Sequence, residues 1–269
     1  MYADATNAEF IGRRSSSYRD ALSLYPRAWL QDIQMMNRFL KPRHGETILD
    51  VGAGNGYFTR AIAHAIGPSG RLVVAEPSSD QLAELRKHNL QNVTIHQQAA
   101  DQLDLSIDNF DSIWSRGVLH HVGEKTRAFH CFARHARKGA RLVISDIFAG
   151  TQLARYFDGF VARSCATGHE VAYLSREFAE TLCYLTGWGV PDFHEVIIPW
   201  EFDELAEIGE FLRLLFAATQ EYSAEDCLGA AETYLSISTS RSGYVLMWPT
   251  TLMVSYRLDV PGREAAERS

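Results

Sequence analysis

The sequence predicts an α/β fold, a Rossmann-like sheet of seven mostly parallel strands with helices on both faces and helical lid insertions. Short apolar runs alternate with helical patterns of about 10 to 15 residues, which is typical of a parallel sheet. The first of these runs is closed by a cluster of glycines, as at a turn between strand and helix. With 269 residues, 46% of them hydrophobic, the chain can form one enlarged domain or two small ones.

The first half of the chain predicts five strands and three helices. We expect strands at 48–51, 71–75, 93–96, 110–115 and 141–146. The helix at 57–66 has apolar residues on one face and ends at Gly67-Pro68. Ser78 and Gln81 have the spacing of a capping box, so a helix is expected from there to about residue 88. A third helical pattern runs over 124–137.

The second half predicts a decorated extension of the same sheet rather than an independent domain. Helices are expected at 153–165, 176–185, 203–219 and 224–235, and strands at 193–198 and 251–256. The expected organisation is an N-terminal helical lid (1–40), a cofactor-binding α/β core (41–150), completion of the sheet (151–258) and a tail (259–269). Within the third segment, substrate-lid insertions are expected at about 151–173 and 203–240.

Composition narrows the class of protein. The formal net charge of −7 gives no general attraction for nucleic acid, and no uncharged apolar run approaches the length of about 18 residues that a membrane span needs. The first residues contain no apolar core of a signal peptide. Four cysteines occur without a CxxC pair, so neither a metal site nor a disulfide framework is predicted. A cytoplasmic setting follows as the expectation.

The sharpest signal is the glycine-rich run Asp50-Val51-Gly52-Ala53-Gly54-Asn55-Gly56 between a strand and a helix. Glycine permits positive φ and lets a ligand approach the backbone closely. Tyr57 stands where a dinucleotide fingerprint needs its last glycine, which disfavours NAD and FAD. Glu76 ends the second strand 20 residues after Gly56, where a carboxylate can accept hydrogen bonds from both hydroxyls of a ribose.

These residues resemble the class I S-adenosylmethionine-dependent methyltransferases, particularly the small-molecule branch. The motifs that carry the resemblance are ILDVGAGNG at 48–56, VVAEP at 73–77, FDSIWSRGVLHHV at 110–122 and HARKGARLVISD at 135–146. The resemblance is strong over about residues 40–150 and extends in outline over 175–258. It implies S-adenosyl-L-methionine as the cofactor and S-adenosyl-L-homocysteine as the product.

The resemblance also assigns roles to single residues. Those implied to bind the cofactor are Asp50, Gly52, Ala53, Gly54 and Gly56 at the methionine end, Glu76 and Pro77 at the ribose, Ala100 and Asp101 beside the adenine, Ser115 and Arg116 near the methionine moiety, and Tyr18 and Tyr25 in the N-terminal lid. The two tyrosines can equally be ordinary half-buried residues.

Catalytic and substrate-binding residues are candidates by position and chemistry. His120 and His121 follow the fourth strand, where an α/β sheet presents ligands, and imidazole titrates near neutrality. They are the first candidates for a base or for substrate contact, although the pair can instead pack or hydrogen-bond this loop. Tyr156, Phe160, His169 and Phe211 are candidates for substrate contact, with core packing or a solvated loop as the alternative.

The predicted activity is transfer of a methyl group by in-line displacement to an oxygen, nitrogen or carbon of a small molecule, in secondary metabolism by analogy with the family branch. One alternative is an enzyme of the same fold that binds the cofactor but carries out cyclisation or decarboxylation. Nucleic-acid methylation is a weaker alternative, because no Asn/Asp-Pro-Pro-aromatic segment follows the fourth strand. A further alternative is a protein that binds the cofactor without catalysing a reaction. No nucleic-acid or membrane partner is expected, and the chain can be a monomer or a homodimer.

Overall fold

The computed structural model describes residues 9–167 and 171–259, and an eight-stranded sheet forms its centre. The strands are β1 (Thr47–Val51), β2 (Arg71–Ala75), β3 (Val93–His96), β4 (Phe110–Arg116), β5 (Ala136–Asp146), β6 (Asp192–Phe202), β7 (Ser236–Ser240) and β8 (Gly243–Tyr256). Their order across the sheet is β3-β2-β1-β4-β5-β8-β6, and β7 pairs with β8. The first five strands pair with one another in parallel, whereas β8 runs antiparallel to β5, β6 and β7.

The predicted α/β class with a mostly parallel sheet is confirmed, but the predicted number of seven strands is wrong. The additional strand, β7, has the sequence SISTS and carries little apolar signal. It pairs with residues 243–247 of β8, whereas β5 pairs with residues 251–256. The strand exists because β8 extends beyond the end of β5 and leaves an edge that the preceding chain can pair with.

The described helices flank this sheet. They are α1 (Gly12–Leu24), α2 (Pro26–Leu40), α3 (Tyr57–Ile66), α4 (Ser79–Arg86), α5 (Lys125–His135), α6 (Gln152–Tyr156), α7 (Ala162–Ser164), α8 (Arg176–Thr186), α9 (Leu205–Leu215) and α10 (Ala224–Tyr234). The helix expected at 153–165 is interrupted by a π-helical turn at Phe157–Val161. No helix in the described part of the chain is long and apolar enough to cross a membrane.

Two apolar cores cover the two faces of the sheet. Along β1, Ile48 belongs to one core and Leu49 and Val51 to the other, because successive side chains of a strand point to opposite faces. Helices α2, α3 and α9 supply residues to the first core, and α5 and α8 supply residues to the second. Helices therefore cover both faces, as the sequence predicts.

The start of α4 shows how the chain after β2 is fixed. Ser78 Oγ accepts a hydrogen bond from Gln81 N at 3.2 Å, as the predicted capping box requires. The reciprocal bond does not form: Ser78 N donates to Glu76 Oε1 at 2.8 Å, and the Gln81 side chain donates to Ser15 Oγ at 2.9 Å. Only half of the capping box is present, because Glu76 takes the donor that Gln81 was expected to satisfy.

Candidate active site

A cavity of about 220 Å³ lies at the carboxyl ends of the parallel strands, the usual ligand-binding edge of an α/β sheet. Residues at the ends of four strands line it. They are Gly52 and Gly54 after β1, and Glu76 and Pro77 after β2. From the end of β4 and the loop that follows come Arg116, Gly117, Val118, His120 and His121, and from the end of β5 come Ser145, Asp146 and Ile147. Tyr18, Trp29 and the Glu9–Phe10 segment cover it from the N-terminal side. The cavity therefore draws on four neighbouring strand ends and the N-terminal helices.

The turn after β1 adopts a backbone that only glycine takes up without strain. The φ angles of Gly52, Gly54 and Gly56 are +68°, +56° and +88°. A Cβ at Gly52 would lie 2.2 Å from Val118 Cγ2, so the residue at 52 must be small for close packing as well as for its φ. A Cβ at Gly54 would meet its nearest atom, Gln81 Oε1, at 3.6 Å.

Glu76 lies against this turn and lines the cavity. Its Oε2 accepts a hydrogen bond from Gly54 N at 3.0 Å, and its Oε1 accepts one from Ser78 N at 2.8 Å. Burial raises the pKa of Glu76, and the two backbone N–H groups lower it without cancelling that rise. A carboxylate has about four acceptor positions, so these two bonds leave it able to accept hydroxyl groups of a ligand.

Seven of the predicted cofactor residues do not line the cavity: Asp50, Ala53, Gly56, Tyr25, Ala100, Asp101 and Ser115. Asp50 is buried, its Oδ2 accepts a hydrogen bond from Thr59 Oγ1 at 2.6 Å, and burial raises its pKa to about 7. Tyr25 instead packs against Phe202 and Phe211, with ring centroids 6.0 and 5.8 Å away.

Arg116 takes part in a buried network that the sequence interpretation missed. Asp32 of α2 is fully buried, and its carboxylate accepts hydrogen bonds from the Arg116 guanidinium and, at 2.7 Å, from the indole nitrogen of Trp200. The guanidinium also lies over the rings of Trp29 and Phe58, at 4.7 and 5.1 Å from their centroids. The sequence signal that could have revealed this network is Asp32 itself, a charged residue among the apolar residues on the buried face of α2.

His120 forms a dyad with Asp146, a residue that the sequence analysis did not single out. The distance from His120 Nδ1 to Asp146 Oδ1 is 2.5 Å, and both residues are buried. Backbone N–H groups of Leu119 and Ile147 each donate to the same carboxylate at 2.7 Å. Burial alone would raise the pKa of Asp146, but His120 and these N–H groups outweigh it and lower the pKa below its usual value.

His121 has a different environment. Its Nδ1 lies 2.6 Å from Glu9 Oε2, and its ring is edge-on to Phe10 with centroids 6.0 Å apart. Glu9 also lies 3.7 Å from Arg14 Nε, and Ser78 Oγ donates to the carbonyl of Phe10. The segment before α1 therefore connects the loop after β4 with the loop after β2, across the cavity.

The far side of the cavity is apolar. It is lined by Leu153, Phe157, Trp200, Leu215, Phe216 and Trp248. Of the predicted substrate residues, Tyr156, Phe160 and Phe211 are buried and do not line it, and His169 lies outside the described residues. Tyr156 instead lies behind Phe157, with ring centroids 5.9 Å apart. In the described ranges, no group of three His, Cys, Asp or Glu residues is placed to hold a metal ion.

Residues 48–139 match the family model described as a methyltransferase domain. An arsenite methyltransferase of Halobacterium salinarum is 28% identical over 107 residues, which cover 38% of this chain and 27% of that protein. A ubiquinone/menaquinone biosynthesis C-methyltransferase of Pseudomonas paraeruginosa is 27% identical over 125 residues, covering 44% of this chain and 49% of that protein. The chain thus spans about half or less of the length of these relatives.

Solved structures share the fold. Phosphoethanolamine N-methyltransferase 2 of Haemonchus contortus, in complex with S-adenosyl-L-methionine, superposes with a TM-score of 0.66 at 18% identity, covering 94% of this chain and 59% of that chain. The YcgJ protein of Bacillus subtilis superposes with a TM-score of 0.62 at 16% identity, covering 85% and 98%. Residues 48–139 thus match a methyltransferase domain, and the chain shares its fold with methyltransferases that include one crystallised with S-adenosyl-L-methionine.

The cavity fits the cofactor of this class on its own chemistry. Four of its lining residues carry buried polar atoms with no hydrogen-bond partner among the described residues: Arg14 Nε, Arg116 Nε, Trp29 Nε1 and Gln81 Oε1. Three of these atoms are donors, and the fourth, the Gln81 acceptor, lies beside Gly54, whose N–H group donates to the Glu76 carboxylate. Such atoms are costly when buried alone. An adenosyl amino acid supplies a carboxylate for the donors and hydroxyl groups for the acceptors.

Proposed function

We propose that this protein is an S-adenosylmethionine-dependent methyltransferase that acts on a small molecule. The observation that carries the proposal is that one cavity joins the glycine turn and Glu76 to the His120–Asp146 dyad and an apolar chamber. A sulfonium methyl group held at the turn can then meet an acceptor held in the chamber. Alignment of the two reactants is the main contribution to catalysis that such a site makes.

Three cavity residues would hold the cofactor. Glu76 would accept hydrogen bonds from the ribose hydroxyl groups, and Arg116 and Tyr18 would face the carboxylate of the amino-acid end. Gly52 and Gly54 would let the ligand lie against the backbone. When bound, the cofactor supplies an electrophilic methyl group.

His120 is the residue that we propose as general base. Donation of the Nδ1 proton to Asp146 fixes the imidazole tautomer, so that Nε2 is the atom that accepts the proton of an O–H or N–H acceptor. Asp146 acts through His120 and is a positioning residue. His121, by contrast, pairs with Glu9, which supports a role in holding the N-terminal segment over the cavity.

The N-terminal segment and its helices serve as the lid in this proposal. Phe10 accepts a hydrogen bond from Ser78, Gly12 N donates to Asp80 Oδ2 at 2.7 Å, and Ser17 Oγ donates to the carbonyl of Leu214 at 2.7 Å. The segment thus contacts the cofactor side of the cavity through α4 and the chamber side through α9.

The test is titration of the purified chain with S-adenosylhomocysteine, followed by incubation with S-adenosylmethionine and pooled acceptors. We expect saturable 1:1 binding and release of S-adenosylhomocysteine that depends on an acceptor. Absence of binding would overturn the proposal. Product formation that leaves S-adenosylmethionine intact would replace methyl transfer with the non-methylating chemistry of the same fold.

A further inference from the structure

The chamber walls are aromatic and flat. Trp248 stacks on Trp200 with ring centroids 4.2 Å apart and planes at 15°, and its plane lies within 26° of that of Phe216. Phe157 meets Phe216 edge-on at 5.3 Å. These side chains are almost fully buried. Ring faces and edges of this kind pack best against another planar π system.

The charges around the cavity disfavour an anionic substrate. The cationic arginines that line the described cavity are Arg14 and Arg116; both have ion-pair partners, and Arg116 is the residue that faces the cofactor carboxylate in the function proposed above. Arg14 donates to the carbonyl of Leu215 and lies 3.7 Å from Glu9, and Arg116 is paired with Asp32. A phosphate or carboxylate in the chamber would meet no uncommitted arginine and would lose its hydration in an apolar site.

A permanent cation is also a poor acceptor substrate here. The proposed cofactor places a sulfonium charge in the same cavity, so a second positive charge would be repelled at short range. A quaternary ammonium moreover has no proton to lose and no lone pair to attack with. The His120–Asp146 dyad implies an acceptor that must lose a proton.

We infer that the substrate is an uncharged planar aromatic molecule that carries a phenol-type hydroxyl group, methylated on oxygen. This inference rests on the function proposed above. A phenol has a pKa of about 10, as in tyrosine, so an imidazole base can remove its proton as attack begins. The phenol proton goes to His120 Nε2, the phenolic oxygen bonds to the methyl carbon, and the C–S bond breaks with its electron pair left on sulfur. The products are an aryl methyl ether, S-adenosylhomocysteine and an imidazolium that returns its proton to water.

The test uses four probes on one carbon skeleton: 2-naphthol, 2-naphthoate, 2-naphthyltrimethylammonium and decahydro-2-naphthol. Relative to 2-naphthol, the second probe carries a negative charge, the third carries a positive charge, and the fourth is uncharged but not planar. Each is titrated into the full chain saturated with sinefungin, an analogue of S-adenosylmethionine whose ammonium group replaces the sulfonium charge and which transfers no methyl group. We expect 2-naphthol to bind at least tenfold more tightly than each of the other three, and S-adenosylmethionine to convert it to 2-methoxynaphthalene. Equal or tighter binding of the carboxylate, the cation or the saturated alcohol would overturn the inference.

A pair of variants locates the binding. Trp248→Leu is expected to weaken the binding of 2-naphthol at least tenfold. The control Tyr184→Leu replaces an aromatic side chain that is 84% exposed, and it should leave this affinity unchanged. Equal affinities in both variants would also overturn the inference. Failure of S-adenosylhomocysteine to bind would overturn the proposed function itself. Normal binding of S-adenosylhomocysteine without a preference for 2-naphthol would overturn only the substrate class.

Discussion

Asp32 of α2 and Trp200 of β6 are joined by a hydrogen bond of 2.7 Å between the carboxylate and the indole nitrogen. The same carboxylate accepts from Arg116 at the end of β4. An N-terminal helix, the cofactor side of the cavity and the wall of its apolar chamber are thereby connected through one buried charge. Burial raises the pKa of Asp32, and Arg116 and Trp200 lower it, which leaves a net rise.

Replacing Asp32 by Ala should destabilise the protein and weaken the binding of S-adenosylhomocysteine. The substitution removes the acceptor of both the Arg116 guanidinium and the Trp200 indole nitrogen, and a donor left without its partner in a buried site typically costs about 1–3 kcal/mol. Urea denaturation and calorimetric titration measure the two effects. The control is Asp20→Ala, which removes an exposed carboxylate beside Arg19 and should change the free energy of unfolding by less than about 1 kcal/mol. Equal effects of the two variants would show that the buried network carries no such energy.

The sequence predicted the parallel half of the sheet well because its signals are local. The apolar run before Gly52 and the amphipathic residues 57–66 each specify one element, and the structure has β1 and α3 there. Asp146, by contrast, ends an ordinary strand, and its role appears only when His120 is brought beside it by the pairing of β4 and β5. Likewise β7 depends on where β8 has an unpaired edge, which no pattern within residues 236–240 reveals.

Glu76→Gln should weaken cofactor binding by about 1–3 kcal/mol. The change removes charged hydrogen bonds to the proposed ribose and turns an amide group toward Gly54 N or Ser78 N, both of which need an acceptor. Titration with S-adenosylhomocysteine gives the difference. Glu84→Gln is the matched control, because Glu84 of α4 pairs with Lys87, the residue that follows this helix, and is not among the cavity residues. An unchanged isotherm for Glu76→Gln would count against the ribose assignment.

Substitutions of His120 and His121 should differ in whether they lower kcat or weaken cofactor binding. His120→Ala and Asp146→Asn should each lower kcat by about 10²–10⁴-fold, since one removes the proposed base and the other its orienting partner. The dissociation constant of S-adenosylhomocysteine should stay nearly the same in His120→Ala. His121→Ala should instead weaken the binding of S-adenosylhomocysteine, because the contact between His121 and Glu9 over the cavity is lost. Rate loss in His121→Ala without a change of affinity would reverse the two roles.

Asp50 should make stability depend on pH. Its pKa rises from 3.8 to about 7 in the folded protein, mainly through burial, with the charge of Glu76 adding to the rise and the Thr59 hydrogen bond opposing it. The folded state therefore holds a proton that the unfolded chain has already lost, and stability falls as the pH rises from about 4 to about 7. Relative to wild type, Asp50→Asn should gain up to roughly 4 kcal/mol across this range. If the free energies of unfolding of wild type and Asp50→Asn change by the same amount with pH, the raised pKa assigned to Asp50 would be contradicted.

Gly52→Ala tests why the turn after β1 needs glycine. The new methyl group must adopt φ near +68° and would lie 2.2 Å from Val118 Cγ2. The strained backbone costs about 1–2 kcal/mol and the overpacking about 1–3 kcal/mol. Gly54→Ala, at φ +56° with its nearest neighbour 3.6 Å away, should pay only the first of these costs.

The double variant Gly52→Ala/Val118→Ala separates the two causes, because Val118→Ala removes both methyl groups that the new Cβ would strike. We expect the double variant to be less destabilised than the sum of its single changes by about 1–3 kcal/mol, measured by urea denaturation without ligand. Additive losses would mean that packing against Val118 does not restrict the residue at position 52. The requirement for glycine would then rest on its φ and on the room that it leaves for the cofactor.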